Sequence, residues 1–281
     1  MPIWYISQET TNYSIMTLRI HQYLVFLSAV FLTALSSCRT VPISGRQQFI
    51  MKPVSEEMAL GLEAFQEECQ NGTISTNAFY NSVFQRCATA LVAASEGGEE
   101  YEWHFALFES TEQNAFCYPG GKIGVYTGIM DLMNNEAELA FVVAHEIGHA
   151  IARHYGEKTA WKSITDLGGE VLITINPDSA ASVAYDPLIK YAVNLPFSRK
   201  NEYEADYIGM ILMARAGYNP RAAIEFWSRF TEGREQSVLN GLMSTHPRSE
   251  DRIQAMWMNL PEADAIFRTA ARKLDYGQQL R

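Results

Sequence analysis

The sequence predicts a mostly helical α+β domain in which a small β-sheet lies beside one buried central helix. Three features carry that expectation. Apolar residues recur at three- and four-residue spacing through several stretches, as on helices with one buried face. Between Tyr101 and Thr127 the pattern changes to alternation, broken by Pro119-Gly120-Gly121, as in short strands around a turn. The stretch that follows, residues 136–151, has its own apolar stripe yet contains His145, Glu146 and His149.

In chain order, Arg19 and His21 precede an apolar run from Tyr23 to Leu35. Roughly a dozen residues cannot cross a bilayer core of about 30 Å as a helix, so the run is expected to be an export signal. Residues 1–37 are thus a signal peptide, with Met16 an alternative start because residues 1–15 are polar. Leu35-Ser-Ser-Cys38 resembles the lipobox at which bacterial signal peptides are cleaved before a lipid-modified cysteine. Residues 38–54 then read as a lipidated, extended tether, ahead of a domain over 55–260 and a helical tail over 261–281.

Helical spacing covers about 55–70 and 76–94, and Gly97-Gly98 ends the second stretch. Strands are expected around Tyr101–Leu107, Gln113–Tyr118 and Lys122–Thr127. Asn135 followed by Glu138 makes a capping-box start for the next helix, whose Leu139, Val142, Val143, Ile147 and Ile151 bury it. Residues 159–197 begin helically, are broken at Asn176-Pro177-Asp178, and form either a lid or plain scaffold. Another helix starts near Ser198 and a further one at Pro220, with Ile224 and Trp227 facing the core. A Cys69–Cys87 bridge is conceivable in an oxidising compartment but is not favoured, because the two sit on successive helices joined by Asn71-Gly72 and Cys87 falls past the point facing Cys69; Cys117 is left odd.

The chemistry lies in the HExxH run. Four helical steps of about 100° return a side chain to the same face, so His145 and His149 can grip one metal ion. Zn²⁺ accepts imidazole nitrogen, and a catalytic zinc takes three protein ligands and keeps one position for water. Glu146 is placed to act on that water as a general base. For the third ligand, Glu202 and Asp206 share a helix face at i, i+4, which suits Glu202 on the metal and Asp206 on the outer N–H of a ligating histidine. Glu204 points about 200° from Glu202 and reads as a solvated acid, with the ligand role as its alternative. On a continuous helix His154 lies about 140° off the ligand face and is expected to be structural, while His104 is expected at the surface.

HEIGHAIARH at 145–154, SRKNEYEAD at 198–206, AGYNP at 216–220 and STHPRSEDRI at 244–253 together resemble the signature blocks of the M48 zinc metalloendopeptidases. That family includes HtpX, the CAAX prenyl proteases and the outer-membrane lipoprotein peptidases of the LoiP and BepA type. The resemblance implies a zincin-like domain holding one Zn²⁺ on His145, His149 and Glu202, with Glu146 catalytic and Asp206 behind a ligand. It implies that His246 lies near the zinc, where it either steadies an oxyanion, the role favoured on sequence, or takes the open position and idles the enzyme. Arg252 is the other candidate for an oxyanion or substrate contact. Family members bind substrate as an added strand, and Asn114, Ala115 and Phe116 are the expected edge.

With few residues after Leu260 and no multi-pass hydrophobic segments, the chain resembles the compact LoiP-like lipoprotein branch most. Arg39 after Cys38, in place of the Asp that retains lipoproteins at the inner membrane, then implies the periplasmic face of the outer membrane. The expected partners are unfolded or misassembled envelope proteins as substrates, and the membrane through the lipid on Cys38. A net charge of −10 argues against nucleic acid. The alternative is an outer-membrane protein assembly factor or chaperone with a dormant, His-inhibited zinc site.

Overall fold

The computed structural model describes residues 38–175, 195–231, 242, 246 and 250–281. The apolar run before Cys38 and the breaks at 176–178 lie outside the described residues. Element order is β1 (Cys38–Thr40), β2 (Gln47–Phe49), α1 (Val54–Asn71), α2 (Ala78–Ala93), β3 (His104–Phe108), β4 (Ala115–Tyr118), β5 (Lys122–Tyr126), α3 (Thr127–Met130), α4 (Glu136–Ile151), α5 (His154–Ile175), α6 (Leu195–Arg215), α7 (Arg221–Thr231) and α8 (Glu250–Thr269). This is an α+β fold organised around α4.

Helix α4 starts where the capping residues place it. Asn135 Oδ1 accepts the Glu138 N–H at 3.1 Å. The Glu138 carboxylate reaches back to the Asn134 N–H at 2.8 Å, one residue beyond the usual capping-box partner, and also takes Arg229. From there Leu139, Val143, Ala144 and Ile147 are fully buried. The helix is covered by α6, α2, α7 and strand β4.

The closest packing is between α4 and α6, and it rests on two glycines. A Cβ at Gly148 would sit 3.1 Å from the Ala205 carbonyl oxygen, and one at Gly209 would sit 3.1 Å from the His145 backbone nitrogen. Without side chains at these points the two backbones approach far enough for Glu202 and Asp206 to reach the histidines of α4.

The three-stranded sheet has the order β3-β5-β4. Strand β3 runs parallel to β5, and β4 runs antiparallel to it with Ala115 opposite Val125 and Tyr118 opposite Lys122. Strand β4 packs on α4, and among the described residues its only strand neighbour is β5. The strands are shorter than the alternation suggested, because Tyr101 and Trp103 turn in before β3 and pack edge to face.

Two expectations are corrected. Residues 38–54, expected as an extended tether, dock on the domain: β1 pairs with β2, and Val41 and Ile50 are buried in the body. The stretch over 261–281 is helical only through Thr269. Beyond it the chain lies over the start of α4, where Gln278 and Tyr276 carbonyls accept the N–H groups of Glu136 at 2.8 Å and Ala137 at 3.1 Å. A helix cannot satisfy these first-turn donors itself. Cys69 and Cys87 are free, and Cys87 is in the hydrophobic core.

Glu136 fastens this junction. Its carboxylate accepts Arg86 at 2.7 and 3.0 Å, the Tyr218 hydroxyl at 2.7 Å and the Gln278 N–H at 3.1 Å. Burial opposes its charge, but Arg86 and Tyr218 outweigh that and hold the carboxyl below its ordinary value. A group whose folded pKa is lowered stabilises the fold above its unfolded pKa and loses that contribution as pH falls. Glu136→Gln should therefore cost about 1–3 kcal/mol near pH 7 in urea unfolding. The gap to the unaltered protein should narrow as pH falls below about 4.5, and a gap independent of pH would refute the charge assignment.

Candidate metal centre

Helix α4 presents His145 and His149 one turn apart, α6 brings Glu202 across the glycine contact, and His246 arrives just ahead of α8. One donor atom from each falls within 4.8 Å of all the others. His145 Nε2 lies 3.1 Å from both His149 Nε2 and His246 Nδ1. The Glu202 oxygens lie 3.1 Å from His246 Nδ1, 3.4 Å from His149 Nε2 and 3.5 Å from His145 Nε2. Four ligands arranged tetrahedrally at about 2.0–2.1 Å from zinc stand about 3.3 Å from one another. The spacing fits.

The surrounding hydrogen bonds point the same way. Asp206 Oδ1 lies 2.9 Å from His145 Nδ1, so that nitrogen carries the proton and Nε2 turns a lone pair into the cluster. Asp206 is in turn gripped by Arg252 through Nε and a terminal nitrogen, both at 2.7 Å, while the other terminal nitrogen lies 3.1 Å from Glu202. The guanidinium stacks over Trp227 at 5.0 Å. Arg252 is thus bound to the carboxylates that surround the histidines, where it holds Glu202 and Asp206.

Burial would raise the Glu202 carboxyl, yet His145 and His149 hold it far below the usual carboxylate range. Burial opposes charge on His246, but the Glu146 and Glu202 carboxylates raise its pKa to about 10. A cation in the cluster would act against that charge. Glu146 is buried beside the cluster, where its Oε1 lies 3.2 Å from His246 Nε2. Burial opposes its charge, but His246 outweighs that and holds the carboxyl below its ordinary value.

Two residues behave differently from expectation. Glu204 is buried: it accepts Arg46 Nε at 2.7 Å and Ser44 Oγ at 2.5 Å, and lies 3.0 Å from His154 Nε2. Burial would raise its pKa, but these partners lower it to about 2. It is the partner of an inner histidine rather than a solvated acid. His154 is also buried, with Nδ1 2.8 Å from His149 Nδ1, and burial brings its pKa down to about 4, which keeps the ring neutral. The expectation of 140° assumed one continuous helix. The chain instead leaves the helix at Ala152, Arg153 takes φ 50°, and α5 restarts at His154 with its ring turned back to the site. A positive φ at arginine has no sequence signal.

The edge residues lie where the sheet topology puts them. Asn114 and Ala115 are buried, the Asn114 carbonyl accepts the Tyr126 N–H at 3.1 Å, and Phe116 packs against Tyr118 at 4.8 Å. His104 is exposed on β3. Cys38 is exposed at the start of β1, and Cys117, on β4, has its thiol pushed up by burial and by Glu146.

A helix with two histidines, an acidic helix crossing it and a sheet edge alongside define a zinc metallopeptidase. Residues 75–258 match the profile of peptidase family M48, and the chain belongs to that family. It is 34% identical over 236 residues to the mitochondrial metalloendopeptidase OMA1 of Schizosaccharomyces pombe, covering 82% of this chain and 68% of that one. Identity to the human mitochondrial metalloendopeptidase OMA1 is 29%, covering 79% of this chain and 46% of the relative. A putative beta-barrel assembly-enhancing protease of Vibrio cholerae is 32% identical, covering 58% and 35%. The chain thus spans about two thirds of the fission-yeast relative and less than half of the other two.

One zinc per chain should therefore be lost in Glu202→Ala and after treatment with a strong chelator. Asp206→Ala should keep the fold and weaken zinc binding about 10- to 100-fold in a chelator competition. Full zinc occupancy in Glu202→Ala would move the third ligand elsewhere.

Proposed function

We propose that the chain is a zinc endopeptidase that cleaves polypeptides laid along the β4 edge, with His145, His149 and Glu202 holding the metal. The buried Glu146 carboxylate beside the ligand cluster carries this reading, since a structural zinc site has no use for a base there. When bound, zinc supplies Lewis acidity, polarising a carbonyl and lowering the pKa of its water toward about 7. Glu146 accepts a proton at Oε1 and returns it to the leaving amine. The outer edge of β4, beginning at Ala115 in the expected stretch Asn114 to Phe116, would hold an extended substrate in register above α4.

His246 supplies a resting state. Its Nδ1 stands among the ligand atoms, and this observation favours the idling role over the oxyanion role that the sequence favoured. His246→Ala should then raise cleavage of an unfolded protein at unchanged zinc content, and a fall of about 10²- to 10³-fold would return His246 to oxyanion stabilisation. Glu146→Gln should keep zinc and lose about 10²- to 10⁴-fold in turnover. An unaltered rate or biological effect in Glu146→Gln would favour the assembly-factor reading, in which the site is dormant.

For location, the relatives' names divide between mitochondrial metalloendopeptidases and beta-barrel assembly-enhancing proteases. The apolar run from Tyr23 to Leu35 and the Leu35-Ser-Ser-Cys38 motif support a lipoprotein of the bacterial outer membrane, facing the periplasm, in the LoiP-like branch. No described helix is long and apolar enough to cross a membrane. Its substrates in this reading are unfolded or misassembled envelope proteins. Mass spectrometry should find acyl chains on Cys38, and Cys38→Ala should release the protein from the membrane fraction. An unmodified Cys38 still joined to residues 16–37 would sink the lipoprotein assignment.

A further inference from the structure

The two histidines of α4 are supported in unlike ways. A histidine that binds zinc through Nε2 keeps its proton on Nδ1 and needs an acceptor there. For His145 that acceptor is the Asp206 carboxylate. For His149 it is the His154 ring, Nδ1 to Nδ1 at 2.8 Å. His154 can accept at Nδ1 only if its own proton is on Nε2, and Glu204 Oε2 lies 3.0 Å from that nitrogen. Glu204 Oε2 then accepts the hydrogen on that nitrogen. Arg46 Nε at 2.7 Å and Ser44 Oγ at 2.5 Å supply its remaining donors.

Arg46 and Ser44 belong to the short arm that follows Cys38, outside the helices that carry the ligands. The arm is seated by several contacts. The two terminal nitrogens of Arg46 fork onto Glu157 of α5 at 2.7 and 2.8 Å, and Val41 and Ile50 are buried. Beyond the hairpin, Arg153 donates to the Lys52 carbonyl and to Glu57 at 2.8–3.0 Å, fixing the helix break that turns His154 inward.

Resting on the zinc reading above, we propose that His154 is a positioning residue for the ligand His149, and that Glu204, with Arg46 and Ser44 of the amino-terminal arm, holds it in the required tautomer. The arm is then a working part of the metal site. Unseating it leaves Glu204 buried without its cation, frees the His154 proton to move to Nδ1, and sets two N–H groups against each other at His149. Zinc affinity consequently reports whether the arm is docked.

The test uses the full chain with His154→Phe, Glu204→Gln and Arg46→Ala. Zinc affinity is measured by competition with a chromophoric chelator, ligand geometry from the visible spectrum of the cobalt-substituted protein, and folding from circular dichroism without metal. Glu204→Gln and His154→Phe should weaken zinc about 10- to 100-fold and shift the cobalt bands. Arg46→Ala, which touches no ligand, should shift both in the same direction with unchanged metal-free dichroism. Should His154→Phe fail to fold, the other two variants decide. Wild-type zinc affinity and cobalt bands in folded Glu204→Gln and Arg46→Ala would overturn the relay. If the unaltered protein itself binds no zinc on His145, His149 and Glu202, it is the zinc reading that fails.

Discussion

The contact of α4 with α6 is the constraint on which the site depends. Two glycines, Gly148 and Gly209, remove the side chains that would hold these backbones apart. Only at that separation can Glu202 stand within 3.5 Å of both inner histidines and Asp206 reach His145 from the side. Close packing makes the arrangement rigid, because neither helix can slide without opening voids or forcing backbone contact. Rigidity of this kind is what a metal site needs, since ligands held in place beforehand lose little freedom on binding.

The same crossing concentrates charge in the interior. Glu146, Glu202, Glu204, Asp206 and Arg252 are all buried. Burying an ion costs several kcal/mol unless good geometry offsets it, and here nearly every carboxylate oxygen has a donor. Arg252 joins Asp206 to Glu202, while Arg46 joins Glu204 to Glu157. Glu146, whose Oε1 faces His246 Nε2 at 3.2 Å, is the carboxylate proposed for the proton-transfer step.

Around this centre the two ends of the described chain act as fasteners. The arm after Cys38 meets the carboxyl end of α4 through the Lys52 carbonyl, which accepts Arg153 where the helix breaks, and the segment after Thr269 closes over its amino end through Glu136. Both supply partners for groups that a helix terminus leaves unsatisfied or that burial would otherwise strand. Zinc chemistry in the middle of α4 is thereby tied to contacts far away in sequence.

By itself the sequence determined the periodic and local features. The spacing of His145 and His149, the Asn135 cap, the alternation ahead of α4 and the shared face of Glu202 and Asp206 all follow from 3.6- and 2-residue repeats and short-range hydrogen bonding. Four motif blocks also pointed to the family. Tertiary structure decided whatever depends on two distant segments meeting or on a backbone departing from its repeat. The burial of Glu204, the inward turn of His154 past Arg153, the commitment of Arg252 to carboxylates and the insertion of His246 Nδ1 among the ligands are of this kind. No periodicity encodes a pairing such as that of Arg46 with Glu204, because its geometry is set by packing of the whole domain rather than by neighbours along the chain.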